Sequence, residues 1–435
     1  MSNAFAQSIT DPTKRAEFAL SSLQIWYNAG TGLWTTTGWW NSANIMTMVA
    51  NLAKVDSNPQ LQSLYAISRH TRSIFTNLSR APRIFANTIV QAPAQNPQPG
   101  VEGSPLAKRG NSNDTFVLHN STGFETGYNK MMNGDDEPVT VYPRDWHKPE
   151  SAYIDVTQLP IFKSTGKVQV AASNANDWLD GFYDDDLWWA LAWIAAYDVT
   201  KDTEYLTLAE NIFKAVASTW GTSCGNGGIY WSWQEDYVNA IPNELFLSTA
   251  AHLANRAEDK ASYVDWAKKE LAWFIDSGMI NERGTINDGL TEDCKNNNMT
   301  TWSYNQGVIL GGLVELNRAS PSATYLALAA RIAKAAITEL SDENGIIHDA
   351  CGPYCGADGS QFKGVFARNL MLLHDAAPDD AYVKCIHANA NSIWSNDRDE
   401  GDMLSINWAG PFVAPANAST HSSAMEALVA AITVN

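Results

Sequence analysis

The sequence predicts an all-α fold, an (α/α)6 barrel of six inner and six outer helices with one irregular insertion. Two kinds of predicted helix alternate along the chain. Residues 187–197 (LWWALAWIAAY) are apolar on every side, as in a helix buried all round, whereas residues 263–275 (YVDWAKKELAWFI) are apolar on one side only. The buried helices end at Asp or Asn residues that follow one another at spacings of 57, 62 and 58 residues: Asp198, Asn255, Asn317 and Asp375. This period indicates stacked helical hairpins, and six hairpins that close on themselves form the barrel.

The first and the last buried helix complete the count of six. Residues 45–55 (IMTMVANLAKV) lead to an earlier end residue, Asp56. A final apolar helix follows His421 (HSSAMEALVAA). With about six covering helices between them, these elements account for one closed ring.

One interval of the repeat is too long. The 142 residues from Asp56 to Asp198 exceed the period by about 80. We place the excess near residues 90–175, which are rich in Pro, Gly, Asn and Ser, and predict a rim insertion with short strands at 139–142 (VTVY) and 168–171. The whole chain, residues 1–435, is then a single catalytic domain that contains this insertion.

Composition and charge limit the partners of the protein. The 435 residues carry 29 Lys and Arg against 47 Asp and Glu, a net charge of −18. We therefore expect no nucleic-acid partner and no anionic membrane surface. No apolar run approaches the roughly 18 residues of a membrane span, and residues 1–30 show no signal peptide. We expect a monomer without a membrane span.

Five Cys weakly favour an oxidising compartment, so we expect a secreted or cell-wall protein. Cys351 and Cys355 frame the short loop CGPYC, and we predict a disulfide between them. Cys224–Cys294 is our guess for a second bridge, although the pairing of these two with Cys385 stays open. The chain has no CxxC pair and no His beside a Cys cluster, so we expect no metal and no cofactor.

Polar residues mark the starts of the buried helices. Counting back twelve residues from each end residue gives five polar positions: Asn44, Asp186, Asn243, Asn305 and Lys363. Antiparallel hairpins bring all inner-helix starts to one end of the barrel, so we expect these clusters to meet there. Asp and Asn also serve as N-caps, which accounts for single residues. Caps do not account for three consecutive Asp, or for Lys363 and Arg368, because cations are unfavourable at the positive end of a helix dipole.

The cluster YDDDLWW (residues 183–189) has the clearest chemistry. Three adjacent carboxylates repel, so the pKa of at least one should rise. A solvated acidic loop is the alternative interpretation, but an apolar helix follows at once. Glycoside cleavage uses one protonated and one ionised carboxyl group, about 5–5.5 Å apart in retaining enzymes. Neighbouring Cα atoms are about 3.8 Å apart, so adjacent Asp side chains favour retention.

Two other classes of protein share some of these features. All-helical terpenoid synthases carry aspartates that hold magnesium and diphosphate. Their first motif needs an acid where this chain has Trp188, and their second needs a Glu where it has Lys295, so both motifs fail. A sugar-binding barrel without catalysis fits the 17 Trp, 15 Tyr and 14 Phe, but the intact run of carboxylates argues against it.

Several segments resemble glycoside hydrolase family 76, the endo-α-1,6-mannanases, in the order of that family. They are GWWNSAN, YDDDLWWALAWIAAYD, GGIYWS with NAIPNELF, YNQGVILGGLVEL and FKGVFARNL. The resemblance covers residues 20–90 and 175–430, and CGPYC and QFKGVFARNL are most similar to fungal members. It implies an (α/α)6 barrel and a retaining mechanism.

The resemblance also implies roles for individual residues. Asp184 corresponds to the nucleophile and Asp185 to the acid/base, with Asp186 in support. Asp288 in INDGL corresponds to an Asp that lies near the cleaved sugar. The further expected sugar contacts are Trp39, Trp40, Asn44, Tyr183, Trp188, Asn243, Tyr304, Asn305, Gln306 and Lys363.

The family resembled here contains two activities. The first is retaining hydrolysis of α-1,6-mannosidic linkages in mannan or mannoprotein glycans. The second is a cell-wall transglycosylase reaction on the mannose core of GPI-anchored glycoproteins. The mannanase-like DDDLWW and the lack of an anchor tail favour hydrolysis, and transfer stays the alternative.

Overall fold

The computed structural model describes residues 9–55, 81–97, 174–356 and 358–434. The described residues form twelve α-helices, in which outer and inner helices alternate. In chain order these are α1 (Pro12–Leu23), α2 (Trp39–Val55), α3 (Ala81–Gln91), α4 (Tyr183–Thr200), α5 (Thr203–Ala217), α6 (Ala240–Ala254), α7 (Lys260–Asp276), α8 (Ser303–Ala319), α9 (Ala323–Leu340), α10 (Phe362–Ala376), α11 (Asp380–Asn396) and α12 (Ala418–Thr433). The even-numbered helices are the inner ones.

The six inner helices close into a ring. Contacts run from α2 to α4, α6, α8, α10 and α12, and from α12 back to α2. The outer helices α5, α7 and α9 each pack on the inner helix that precedes them, while α1 packs on α12. The predicted all-α (α/α)6 barrel is therefore confirmed.

Burial separates the two kinds of helix as the apolar patterns predict. In α6 every residue except His252 is buried, because inner helices are covered on all sides. In the outer helix α9 only one stripe is buried, formed by Ala329, Ile332, Ala333 and Ala336. The core thus fills the space between the two rings and part of the barrel interior.

Glycine allows two pairs of neighbouring inner helices to approach closely. A Cβ atom on Gly307 of α8 would lie 2.6 Å from the Cα of Phe366 in α10. A Cβ atom on Gly364 of α10 would lie 2.7 Å from the Cα of Ser423 in α12. Any larger residue at either position would force these backbones apart and open the ring.

The helix starts differ between the rings. Side chains cap the N-termini of the outer helices α1, α5, α7, α9 and α11: Asp11, Asp202, Asp259, Ser322 and Asp379. The inner helices α4, α6, α8 and α10 have no side-chain cap, although Asn417 caps α12. The alternative interpretation that the polar residues of the inner-helix starts are N-caps is wrong for these four helices.

A few elements lie outside the helical pattern. Strands β1 (Tyr27–Asn28) and β2 (Leu33–Trp34) form an antiparallel hairpin between α1 and α2, which the sequence analysis did not predict. Short 3-10 helices span Gln24–Trp26, Ala92–Gln95, Ala175–Asp177 and Gly359–Gln361. Most of the predicted insertion near residues 90–175, both of its predicted strands and the marker Asp56 lie outside the described residues.

The cysteines form two bridges. Cys351 is joined to Cys355 as predicted, and Cys224 is joined to Cys294, the pair that was guessed. Cys385 is free and buried in α11. Among the helices in the described ranges, none has both the length and the apolar character of a membrane span.

Candidate active site

The inner helices begin at the same end of the barrel, which we call the mouth. Hydrogen bonds between their first turns show this arrangement. The Asn41 amide of α2 donates to Gln361 Oε1 at 3.0 Å, and Gln361 Nε2 donates to Ser422 Oγ of α12 at 2.9 Å. The polar clusters of the sequence therefore converge, as their common register predicts.

Three consecutive acids occupy the first turn of α4. Successive helical residues point about 100° apart, so Asp184, Asp185 and Asp186 cannot all face the same side. Asp186 is buried, and its Oδ1 accepts the backbone N–H of Asp180 at 2.9 Å. This contact gives Asp186 a structural role in holding the loop before α4, and its sugar contact stays a prediction.

Asp184 is held from the neighbouring loop. Trp231 Nε1 donates to Asp184 Oδ2 at 3.3 Å. The same loop is tied to the start of α4 by the backbone, because the Tyr183 N–H donates to the Trp231 carbonyl at 3.0 Å. The Tyr183 ring is half-buried and hydrogen-bonded to Thr219 at the edge of the mouth. The bond from the Trp231 indole N–H lowers the pKa of Asp184, although burial has the larger, opposite effect.

Asp185 has a carboxyl partner that the sequence analysis did not single out. A hydrogen bond joins the side chains of Asp185 and Asp180. Both residues are buried, and the Phe182 N–H also donates to Asp180 Oδ1 at 2.9 Å. Two carboxyl groups can share a hydrogen bond only when one of them carries a proton. The Asp180–Asp185 pair therefore holds a proton beside Asp184.

Burial raises the pKa values of the carboxyl groups of Asp180, Asp184, Asp185 and Asp358. Burial raises the pKa of Asp184 to about 8, with the charges of Asp180 and Asp358 adding to it. Burial raises the pKa of Asp180 to about 7 and that of Asp358 to about 6. The pKa of Asp185 lies well above the usual range, because burial and the charges of Asp180 and Asp184 act together. The site is thus built to keep protons on at least some of these acids at neutral pH.

Aromatic rings lie next to the acids at the mouth. Trp40 Nε1 donates to Asp358 Oδ1 at 2.9 Å, and its ring stacks on Trp188 with centroids 5.6 Å apart. Tyr304 stacks on Phe362 with centroids 3.7 Å apart. Asp358, like Asp180, was missed by the sequence analysis, because its partner Trp40 is 318 residues away along the chain.

Asp288 lies in the loop between α7 and α8, next to the start of α6. Its backbone carbonyl accepts the N–H of Ala240, and its side chain accepts the hydroxyl of Tyr237. The Tyr237 oxygen in turn accepts Asn297 Nδ2 at 3.0 Å. The loop that carries Asp288 is therefore anchored to the start of α6, and its contact with the sugar stays a prediction.

Two predicted sugar contacts use their amides to hold loops. Asn243 accepts the Ile229 N–H at 2.7 Å and donates to the Ile229 carbonyl at 2.9 Å. Gln306 makes the same pair of bonds with Ile286, both at 2.8 Å. Each amide pairs with one loop residue as a neighbouring strand would. These contacts support a structural role, and sugar contacts by Asn243 and Gln306 stay predictions.

Asn44 and Lys363 also have partners inside the protein. The Asn44 side chain accepts a hydrogen bond from Arg368 and lies in the barrel wall. Lys363 Nζ donates to the Ile406 carbonyl at 2.6 Å and lies 4.5 Å from the centroid of the Trp408 ring. The buried cations at this helix start are therefore compensated by protein groups, and their sugar contacts stay predictions.

Two further predicted sugar contacts, Trp39 and Asn305, lie in buried surroundings. Trp39 packs into a cluster with Trp178 and Trp189, at centroid distances of 5.7 and 4.8 Å, and so contributes to the core. Asn305 is fully buried in the first turn of α8, and neither polar atom of its side chain has a hydrogen-bond partner among the described residues. A buried amide without a partner calls for an explanation.

The opposite end of the barrel contains a cavity of about 440 Å³. Its upper wall includes Trp188, and its open end is lined by an ion network. Arg256 bonds Asp198 at 2.8 Å and Glu315 at 3.0 Å, and Lys54 bonds Asp198 at 2.9 Å. This cavity lies below the acids of α4 and not beside them, so we do not assign it to the chemistry of the mouth.

Fold and site together define a class of protein: a helical barrel with adjacent, buried carboxylic acids and aromatic rings at its mouth, which is the equipment of a glycoside-cleaving enzyme. Residues 144–435 match the sequence profile of glycosyl hydrolase family 76, and the chain belongs to that family. The match begins inside the predicted insertion and runs to the end of the chain.

Known proteins agree with this assignment. The mannan endo-1,6-alpha-mannosidase DCW1 of Candida albicans is 30% identical over 215 residues, which is 45% of this chain and 47% of the relative. DCW1 of Saccharomyces cerevisiae is 27% identical over 248 residues, 52% of this chain and 54% of the relative. The chain thus spans about half the length of the curated relatives it matches.

Solved structures share the fold. One is an inactive variant of the α-1,6-mannanase GH76A of Salegentibacter sp. HEL1_6, in complex with α-1,6-mannotriose. It has a TM-score of 0.66 and 15% identity, over 98% of this chain and all of that one. Dfg5 of Chaetomium thermophilum, in complex with glucosamine, has a TM-score of 0.65 and 14% identity, over 97% of this chain and 90% of that one.

Proposed function

We propose that the protein is a retaining glycoside hydrolase that cleaves α-1,6-mannosidic linkages in mannan or mannoprotein glycans. The observation that carries the proposal is the adjacent pair of half-buried Asp184 and buried Asp185 at the mouth of a family 76 barrel. A pair of adjacent carboxyl groups, one of them hydrogen-bonded to a further carboxyl group, suits an acid and a nucleophile that work together.

In the first step, an Asp184 carboxylate oxygen attacks the anomeric carbon. The bond between that carbon and the linking oxygen breaks, and Asp185 transfers its proton to the leaving oxygen. The products are the released glycan with a new hydroxyl group and a mannosyl ester on Asp184. Asp185 is left as a carboxylate.

In the second step, the Asp185 carboxylate takes a proton from water while the water oxygen attacks the anomeric carbon. The ester bond to Asp184 breaks, and mannose or a manno-oligosaccharide leaves with its original anomeric configuration. Both acids return to their starting states. Two inversions at one carbon give net retention.

The contacts of the two acids support this division of roles. Trp231 donates an N–H to Asp184, and this bond opposes the effect of burial on its pKa, which assists the ionisation that a nucleophile requires. Asp185 shares a proton-bearing hydrogen bond with Asp180, which favours the protonated form that an acid requires. Asp180 is then a positioning residue that acts through Asp185.

Known relatives support the substrate. The Candida albicans and Saccharomyces cerevisiae relatives bear the name mannan endo-1,6-alpha-mannosidase. The Salegentibacter α-1,6-mannanase was inactivated by changing two consecutive Asp residues to Asn. We propose that Asp184 and Asp185 are the matching pair, and that the partner of this protein is an α-1,6-linked mannan or mannoprotein glycan outside the cell or in its wall.

A substrate panel tests the proposal. The protein is incubated with linear α-1,6-mannan, α-1,2-mannan and β-1,4-mannan, and the products are sized with and without an added acceptor glycan. We expect shortening of the α-1,6-mannan alone. Products longer than the donor in the presence of acceptor would favour the transglycosylase alternative, in which a sugar hydroxyl replaces water in the second step. Absence of any change in the α-1,6-mannan would contradict the proposal.

A further inference from the structure

Glu244 is a buried carboxyl group that the mechanism above does not use. It lies in the second turn of α6 with none of its surface exposed. Neither of its carboxyl oxygens has a hydrogen-bond partner among the described residues. Ser248 and His252, one and two turns further along α6, line the cavity at the opposite end of the barrel, so Glu244 faces the inside of the barrel between that cavity and the mouth.

Other buried glutamates show how unusual this state is. Glu270 on the outer helix α7 is equally buried, and its Oε2 accepts Trp220 Nε1 at 2.6 Å. Glu426 on α12 pairs with Arg368 at 2.7 Å. A buried carboxyl group without a partner costs free energy, and native proteins keep such groups mainly where a ligand or an ordered water completes them.

Asn305 is the second unpartnered group, and helix geometry brings it to the same place. Helices α6 and α8 are neighbours in the inner ring, and a Cβ atom on Gly312 would lie 3.2 Å from the Cα of Ser248. Glu244 lies about one turn towards the mouth from Ser248, and Asn305 about two turns from Gly312. Asn305 therefore lies on the side of α8 that faces α6, and Glu244 lies on the inner side of α6 at a neighbouring level below the mouth.

Asp288 connects this pair with the candidate active site. Burial raises the pKa of Glu244 well above its usual range, and the charge of Asp288 adds to the effect, so both favour the neutral acid. A neutral carboxyl group has one donor and one acceptor, as has the amide of Asn305. Hydroxyl groups, which both donate and accept, satisfy such a set without bringing in charge.

We propose that Glu244 and Asn305 together bind hydroxyl groups of the mannosyl ring on which Asp184 and Asp185 act, and that they set the specificity for that sugar. This inference rests on the proposed function. Glu244 is then a specificity-determining residue that contacts substrate, and its lack of a protein partner is the stability cost of a site that awaits a ligand.

The test combines stability with kinetics on modified substrates. Glu244→Leu keeps the volume and removes the unpartnered carboxyl group, so we expect a higher Tm than wild type. With α-1,6-manno-oligosaccharides we expect kcat/KM to fall roughly 10- to 100-fold, because a substrate hydroxyl loses its partner. For Glu244→Gln, whose side chain still donates and accepts hydrogen bonds, we expect a smaller fall in kcat/KM.

Glu270→Leu is the matched control. It removes an equally buried carboxyl group that has a protein partner, so we expect a lower Tm and an unchanged kcat/KM. Changes in Tm of opposite sign for Glu244→Leu and Glu270→Leu distinguish a ligand-binding group from a structural one.

Substrates that lack one hydroxyl group identify the contact. Oligosaccharides with 2-deoxy, 3-deoxy or 4-deoxy rings at the cleaved position are compared in wild type, Glu244→Leu and Asn305→Ala. We expect the penalty of each variant to disappear for one of these analogues. An equal penalty for every analogue, a lower Tm for Glu244→Leu, or no penalty at all would overturn the inference. If wild type does not cleave α-1,6-mannan, the proposed function fails first and takes this inference with it.

Discussion

The two ends of the barrel contain acids in opposite electrostatic states. At the mouth, Asp184 and Asp185 lie among other carboxyl groups, and burial raises their pKa values. At the far end, burial also disfavours the charge of Asp198 and Glu315, but Arg256 outweighs it. Together with Lys54, His252 and Arg318, it holds the pKa of Glu315 at about 2 and that of Asp198 well below its usual range. The same residue types in the same ring of helices are thus proton carriers at one end and fixed anions at the other.

The difference shows what distinguishes a structural acid from a functional one in this fold. The ion network joins α2, α4, α6 and α8 where these helices end, and every charge in it has an opposite charge within reach. Within the described ranges, the four acids Asp180, Asp184, Asp185 and Asp358 form no such ion pair. Sites that perform chemistry often keep groups that folding alone would not favour.

The largest expected effect is a loss of activity that follows changes at the mouth but not at the far end. Asp184→Asn and Asp185→Asn should each lower kcat on linear α-1,6-mannan by roughly 10³- to 10⁵-fold, because the nucleophile or the proton donor is lost. Asp198→Asn, the matched change at the far end, should keep kcat within about 3-fold of wild type. Initial rates at 25 °C, normalised to folded protein, measure both. Equal losses for all three variants would remove the distinction between the ends.

The next effect is a loss of stability when the ion network of the far end is broken. Arg256→Met leaves Asp198 and Glu315 partly buried without their main counter-charge, and we expect a loss of about 2–4 kcal/mol in the free energy of unfolding. Urea unfolding measures it. Arg283→Met, which breaks an exposed ion pair with Glu339, serves as the control and should leave the unfolding midpoint unchanged. A midpoint for Arg256→Met equal to that of the control would show that the network does not hold the far end together.

The third effect is a pH dependence at the mouth. The pKa of Asp184 is raised to about 8, whereas an Asp of an unfolded chain ionises near pH 4. Between these values the folded protein keeps a proton that the unfolded chain has lost, so its stability falls as pH rises from about 4 to 8. Asp184→Asn removes this cost and should raise the stability by about 1–3 kcal/mol at pH 8 but little at pH 5. Thermal melts that give the same shift at both pH values would contradict this assignment.

The smallest effect concerns the aromatic side of the mouth. Trp40→Phe keeps the stack on Trp188 but removes the N–H that Asp358 accepts. We expect kcat/KM to fall about 3- to 10-fold with little change in Tm. Trp178→Phe, within the tryptophan core, should instead lower Tm and leave kcat/KM unchanged. The reverse pattern would place Trp40 in the core.

Much of the fold follows from patterns that are local in the chain. Helices such as α4 and α6 are apolar all round, and their polar first turns recur at one register, so the ring and its mouth can be predicted from periodicity. The hairpin β1–β2 could not be predicted in this way, because its two-residue strands give no periodic signal.

The candidate site was only partly accessible to the same reasoning. Asp184 and Asp185 stand out because three acids precede an apolar helix. Asp180 and Asp358 do not stand out in the sequence, because their roles arise from contacts across loops and helices. An amide such as Asn243 can cap a helix, bind a sugar or hold a loop, and only its partner, the backbone of Ile229, distinguishes these.

The central claim is that Asp184 and Asp185 together break a sugar linkage by two successive displacements. Proton NMR of the anomeric signals during the first minutes of α-1,6-mannan cleavage tests it most directly. We expect the α-anomer of the new reducing end to appear first and the β-anomer to follow by mutarotation. First release of the β-anomer would contradict a double displacement.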